Sequence, residues 1–298
     1  MEDEYPRASA GKLPVRDVGR LLLRCADRPG LVAAVSTFLT GAGANIVSLD
    51  QHSTEQSGGI FMQRTIFHLA GLTAAREDLE REFRERVATP FDIDFRLTEA
   101  AKPKRVAIMA SKEDHCLLDL LWRNRRGELD MSVAMVVSNH PDLADQVRAF
   151  GVPFLHVPAT KHNRADAEQR QLDLLRGNVD LVVLARYMQI LTSRFLAEVG
   201  CPMINIHHSF LPAFIGAAPY RRAKERGVKL VGATAHYVTE ELDDGPIIEQ
   251  DVVRVDHRHS VEDLIRLGAD VERVVLSRAV LWHCEDRVIR YGNQTVVF

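Results

Sequence analysis

At 298 residues the chain is long for one ordinary domain and suited to two, each able to bury a core. Its 38 Lys and Arg against 41 Asp and Glu leave a formal charge of −3, so no global field draws it to phosphate backbones or anionic membranes, and a small-molecule partner is expected rather than a nucleic acid or a membrane. No run approaches the roughly 18 apolar residues of a membrane span, and the acidic start MEDEYPRASAGKLP lacks a secretory core, which predicts a cytoplasmic protein. Cys25, Cys116, Cys201 and Cys284 are scattered without a C-x-x-C pair, which argues for reduced structural thiols rather than a zinc ribbon or a disulfide framework.

Residues 1–15 are polar and punctuated by Gly and Pro, and are expected to be a flexible tail. RLLLRC then reads as a strand, DRPG as a turn, and LVAAVSTFLTGAG as a helix closed by glycines. NIVSLDQHST and GIFMQRTIFHLAG read as strands joined at Gly58 and Gly59, TAAREDLEREFRERVA as a charged amphipathic helix, and FDIDFRLTEA as a fourth strand. The order β-α-β-β-α-β predicts a ferredoxin-like α+β domain over residues 16–98. Acids and bases interleave along EDLEREFRER, so that stretch is a solvated helix face and not a nucleic-acid patch.

DRPG at Asp27 to Gly30, followed by a helix and by GANI at Gly43 to Ile46, resembles the ACT domain, a small-molecule-sensing module. The resemblance implies regulation by an amino acid, with Asp27, Gly30 and Asn45 as the positions carried over as regulatory-ligand residues. The plainer alternative makes Gly30 a turn residue and Asn45 a helix C-cap.

Residues 99–104 read as a linker, and residues 105–298 change character. KRVAIMAS, DMSVAMVVSN, VPFLHVP and VDLVVLARY are apolar strand-like runs alternating with helical segments, the pattern of a doubly wound, mostly parallel sheet covered on both faces. Ligands of such sheets bind beyond the carboxyl ends of the strands, where strand order reverses. CPMINI is a strand of that kind, and the loop HHSFLPAFIGAAPY follows it.

Asn205 and His207 stand two apart at that strand end, so their side chains share a face. Downstream, VGATAHYVTEELDDGPIIEQDVV reads as a strand, an acidic turn holding Asp243, and a second strand. An amide, an imidazole and a carboxylate suit attack on a one-carbon acyl group, two of them stabilising an oxyanion while the carboxylate holds water or tunes the imidazole. Singly, a lone histidine or a D-D-G turn is an ordinary structural feature.

Together, INIHHSFLPAF and AHYVTEELDDGPII resemble the folate-dependent formyltransferase family from Lys104 to the C-terminus. The resemblance implies Asn205, His207 and Asp243 as catalytic residues. It implies Arg186, Tyr187, Met188, Gln189, Ile190 and Leu191, in LARYMQIL, as the segment lining the pterin pocket, with His236 in support; the alternative for His236 is a cross-strand surface residue. It calls for no cofactor beyond the folate substrate.

The first catalytic-domain strand is followed by ASKEDHCLLDL, without a glycine for close approach to a phosphate, so the acceptor is not expected to be a phosphate ester. An ACT-like domain ahead of this catalytic domain resembles the deformylase branch of the family, which implies hydrolysis of 10-formyltetrahydrofolate to formate and tetrahydrofolate, balancing the one-carbon pool that purine biosynthesis draws on. In that scheme Asp243 holds and deprotonates the water while Asn205 and His207 stabilise the oxyanion. Transfer to an amine and a non-catalytic amino-acid sensor are the alternatives. His208, where transferases of the family often carry Pro, either faces the acceptor space or covers the loop. His257 and His259 in VDHRHS would share a face if extended, but no third ligand accompanies them and no metal is expected. The edge of a four-stranded ACT-like sheet predicts a homo-oligomer.

Overall fold

The computed structural model describes residues 15–160, 162–212 and 219–298, so the expected tail, but for its last residue, lies outside the described residues. The chain divides into two compact units, one ending at Lys102 and the other running from Pro103 to Val297.

The first unit runs β1 (Val18–Ala26), α1 (Leu31–Gly41), β2 (Asn45–Ser53), β3 (Ile60–His68), α2 (Leu72–Phe83), a π-helical turn (Arg84–Ala88), one turn α3 (Thr89–Phe91) and β4 (Asp94–Glu99). Its antiparallel sheet has the order β2-β3-β1-β4. Leu21 and Leu23, two apart on β1 and hence on one face, join Phe61 and Phe67 of β3 in a core. Leu31, Val35, Phe38 and Leu39 at helical spacing on α1, with Leu72, Leu79 and Phe83 of α2, close that core. The charged segment expected as one long helix changes winding after Phe83, whose ring makes edge contacts with Phe38 and Phe95.

The second unit runs β5 (Lys104–Ala110), α4 (His115–Arg125), β6 (Met131–Ser138), α5 (Ala144–Arg148), β7 (Phe154–His156), α6 (Arg164–Leu175), β8 (Leu181–Leu184) and α7 (Ser193–Glu198). It continues with β9 (Met203–His207), α8 (Pro219–Arg226), β10 (Leu230–Tyr237), β11 (Ile247–Arg254), α9 (Val261–Cys284) and the hairpin β12 (Val288–Tyr291) and β13 (Gln294–Val297). The seven-stranded sheet has the order β11-β10-β9-β8-β5-β6-β7, parallel from β9 to β7 and antiparallel at β10 and β11. Separate apolar clusters cover its two faces, one under α4 and α9 and the other under α6 and α7. Strand order reverses at β5, which has β6 on one side and β8 on the other, so the carboxyl ends of β5, β8 and β9 open onto one crevice. No helix among the described residues is long and apolar enough to cross a membrane.

Candidate active site

Asn205 and His207 lie on β9 and line one cleft of about 300 Å³ with Asp243, His236, His208 and the segment 186–191, a size ordinary for a small-molecule site. The cleft thus gathers the residues that the resemblance implied as catalytic or pterin-lining, and His208 with them, but not His257 or His259.

Asp243 sits on the loop between β10 and β11 with φ 57°, a left-handed conformation that aspartate tolerates. Asn293 Nδ2 in the β12–β13 turn donates to Asp244 O at 2.8 Å, and Thr295 Oγ1 donates to Ile247 O at 2.6 Å, so the C-terminal hairpin braces that loop. Asp243 Oδ2 lies 3.1 Å from His207 Nδ1, and Asp243 Oδ1 lies 3.7 Å from His236 Nε2. Burial alone would raise the Asp243 carboxyl, but His207 and His236 beside it outweigh burial and hold it well below the usual carboxylate range. With an anion at Nδ1, His207 carries its proton there; Nε2 is buried and has no partner among the described residues.

His236 is buried, not a surface residue, and pairs across the sheet with Asn205. Its Nδ1 lies 3.0 Å from Tyr237 O and can only donate there, so neutral His236 presents a bare Nε2. That nitrogen accepts from Asn205 Nδ2 at 3.2 Å, which pins the amide and leaves its second N–H for a ligand.

The segment 186–191 leaves β8 at Arg186, whose φ of 62° is costly for a long side chain. Ser111 N donates to Arg186 O, and Ser111 Oγ accepts from Met188 N at 2.9 Å. Met188 and Ile190 are 57% and 62% exposed while lining the cleft, and Leu242 opposite is 62% exposed, so apolar surface faces the open space from both sides.

Behind the cleft lies a group the sequence reading missed. Glu272 on α9 is buried; its Oε2 lies 2.8 Å from His115 Nε2 and 3.5 Å from Arg186 Nε, and its Oε1 accepts from the Tyr220 hydroxyl at 2.9 Å. His115, Cys116 and Glu272 hold ligand-type atoms within 4.8 Å of one another. Burial pushes the Cys116 thiol well up, and a guanidinium already faces the carboxylate, so this is a hydrogen-bonded network and not a nest for a cation. VDHRHS is not extended: it forms a turn in which His259 Nδ1 lies 3.1 Å from Asp256 and Lys224 Nζ donates to the carbonyls of His257 and His259.

In the first unit Gly30 precedes α1 with φ 96°, and Asp27 N donates to Gly59 O. Asn45 opens β2 and is not a C-cap; α1 ends at Gly41 with Ala42 as its cap. Through β3, Asn45 is level with Val18, whereas Asp27 follows Ala26 at the far end of β1. Nine residue steps along the chain from Val18 to Asp27, roughly 30 Å, separate the two levels in one copy.

A family model described as formyl transferase matches residues 104–280, and one described as ACT domain matches residues 19–84. The chain is 73% identical over 297 residues to a formyltetrahydrofolate deformylase of Mycobacterium bovis, covering 100% of this chain and 96% of that one. A solved formyltetrahydrofolate deformylase from Pseudomonas syringae is similar at a TM-score of 0.89 and 47% identity, covering 94% of each chain. A glycinamide ribonucleotide transformylase from Symbiobacterium toebii is similar at a TM-score of 0.61 and 32% identity, covering 66% of this chain and 94% of that one.

Proposed function

The chain belongs to the formyltetrahydrofolate deformylases, and from that premise we propose that Asn205, His207 and Asp243 carry the hydrolysis of 10-formyltetrahydrofolate, with the segment 186–191 and His236 serving the folate. The reaction takes water and 10-formyltetrahydrofolate to formate and tetrahydrofolate.

The observation that supports these roles is the pairing of His207 Nδ1 with Asp243 in the cleft, beside a buried Nε2 that has no partner among the described residues. Water adds to the formyl carbon, and the carbonyl electron pair moves onto oxygen. The spare Asn205 N–H stabilises that oxyanion, joined by His207 through a proton on Nε2. Asp243 Oδ1, beyond hydrogen-bond reach of His236, is free to accept from the water. A carboxylate held this far down is too weak a base to keep the proton, so the proton passes on to N10 as the C–N bond breaks and formate leaves. Formate release without any amine present, beside an Asp243→Asn variant, tests the assignment; full release by the variant removes Asp243 from it.

We also place the enzyme in the cytosol as a homo-oligomer, a reading supported by four free cysteines and by the open β2 and β4 sheet edges. An amino-acid effector held by Asp27, Gly30 and Asn45 then requires two copies, because one copy holds these residues at opposite ends of β1.

A further inference from the structure

The cleft ends at a wall that the hydrolytic steps above do not use. His208 stacks on His207 with ring centroids 5.0 Å apart and planes inclined by 21°. The Tyr220 ring stands 6.3 Å behind it, tied through its hydroxyl to Glu272, and Glu272 is tied in turn to His115 and faces Arg186. Among the described residues the lining of the cleft reaches Arg186 and His208 but not Tyr220, His115 or Glu272, so His208 stands at its end there.

Two features mark this wall as built at a cost to stability. Gly268 occupies the interior of α9, where glycine weakens a helix, and a β-carbon there would collide with the Tyr220 hydroxyl. Arg186 adopts a left-handed conformation that its side chain disfavours.

A formyl carbon held at Asn205 and His207 would have the folate on the side of the apolar segment 186–191. The Nδ1 side of His207 is taken by Asp243. The stacked face of His207 is where a second organic substrate would have to stand, and His208 stands there. The glycinamide ribonucleotide transformylase, alike in fold, is named for an amine acceptor that must find such a space.

We propose that His208, backed by Tyr220 and Glu272, is the specificity-determining element that makes water the acceptor, by filling the space beside His207 that an amine would need. The inference rests on Asn205, His207 and Asp243 being the reacting groups. Burial, then the charges of Arg186 and His207, push the His208 imidazole down to about 4, so the wall adds no second cation beside His207. A neutral ring is compatible with an entering water, while its bulk excludes a larger nucleophile.

The test supplies the full-length enzyme with 10-formyltetrahydrofolate and glycinamide, a small primary amine, and compares formate with N-formylglycinamide. The wild type is expected to give formate with no more than a trace of N-formylglycinamide. His208→Ala and Tyr220→Ala are each expected to raise the share of formyl groups captured by the amine about tenfold or more. Formate release with an unchanged share in both variants overturns the proposal. So does loss of all turnover in both while tetrahydrofolate still binds, because the wall would then belong to catalysis and not to acceptor choice. His208→Asn removes the ring and keeps a polar side chain; if the alanine variants do not fold, an unchanged share in this one overturns the proposal as well. Asn205→Ala in the same assay separates the underlying assignment: undiminished formate release from it would remove the reacting groups without touching the partition.

Discussion

His236 and Asn205 face each other across β10 and β9, and the imidazole Nε2 takes one of the two amide N–H groups of Asn205 at 3.2 Å. Because Tyr237 O fixes the proton on Nδ1, the hydrogen bond has one direction, and the amide cannot flip without setting its oxygen against a bare nitrogen. The second N–H is therefore pre-aimed, as oxyanion donors must be to lower a barrier without reorganising. Asn205→Ala is expected to lower kcat for formate release about 10²- to 10³-fold with KM little changed. Steady-state kinetics decide it: a rise in KM at constant kcat would mean that Asn205 binds substrate and transition state alike.

Asp243 is ionised far below any ordinary assay pH because its neighbours hold its carboxyl down. Its charge is stabilised in the folded state, most of all by the hydrogen bond from His207, so its contribution is present above the unfolded carboxylate value and is lost only as pH falls through the depressed folded one. The pH–rate profile between pH 5 and 8 should therefore carry no limb from Asp243. Asp243→Asn should lower kcat about 10²- to 10⁴-fold by a factor that is the same across that window. A variant whose deficit closes at acidic pH would contradict this, since it would show the wild-type carboxyl already taking up protons there.

Much of the site is legible in the sequence because it sits on regular elements: Asn205 and His207 are two apart on a strand, and a period of two places them on one face without further information. The wall behind them is not legible in the same way, since His115, Arg186, Tyr220 and Glu272 come from four separate segments that only the tertiary fold joins. One local sign exists. Leu264, Gly268, Glu272, Val275 and Leu276 lie on the buried stripe of α9, and an acid on an apolar stripe demands partners. The short helices α7 and α8 escape periodicity because six and eight residues span about two turns at most, too few to establish a stripe. The separation of Asp27 from Asn45 follows from strand pairing, which no local motif encodes.

His208 should make the protein sensitive to mild acid. Its imidazole is pushed from 6.5 down to about 4 in the folded state by burial and by Arg186 and His207, with Glu272 and Asp243 acting against them. The unfolded chain thus binds the extra proton first, so stability is full above about pH 6.5 and falls toward pH 4. With a discount for partial exposure, the loss at pH 5 attributable to this group is about 1 kcal/mol. Denaturant midpoints at pH 7 and pH 5 should converge in His208→Gln relative to the wild type. An identical drop in both proteins would show that His208 titrates normally.

The segment that carries the exposed apolar surface of the cleft is held from below by α6. Glu168 accepts from Thr192 N at 3.0 Å and from Thr192 Oγ1, and Arg164, four residues before it, donates to Ile190 O. Both side chains lie on one face of the helix by their spacing, so a single turn of α6 anchors the end of the segment that begins at the strained Arg186. Glu168→Ala leaves the Thr192 N–H without its acceptor at a partly buried position, a cost of about 1–3 kcal/mol in stability. The proposed reacting groups, Asn205 and His207 on β9 and Asp243 on its loop, make no contact with that bond. Loosening Met188 and Ile190 should therefore weaken the folate alike in ground and transition states, raising KM about tenfold while kcat stays within about a factor of two. If kcat fell instead at constant KM, the segment would be acting on the formyl centre and not on the body of the folate.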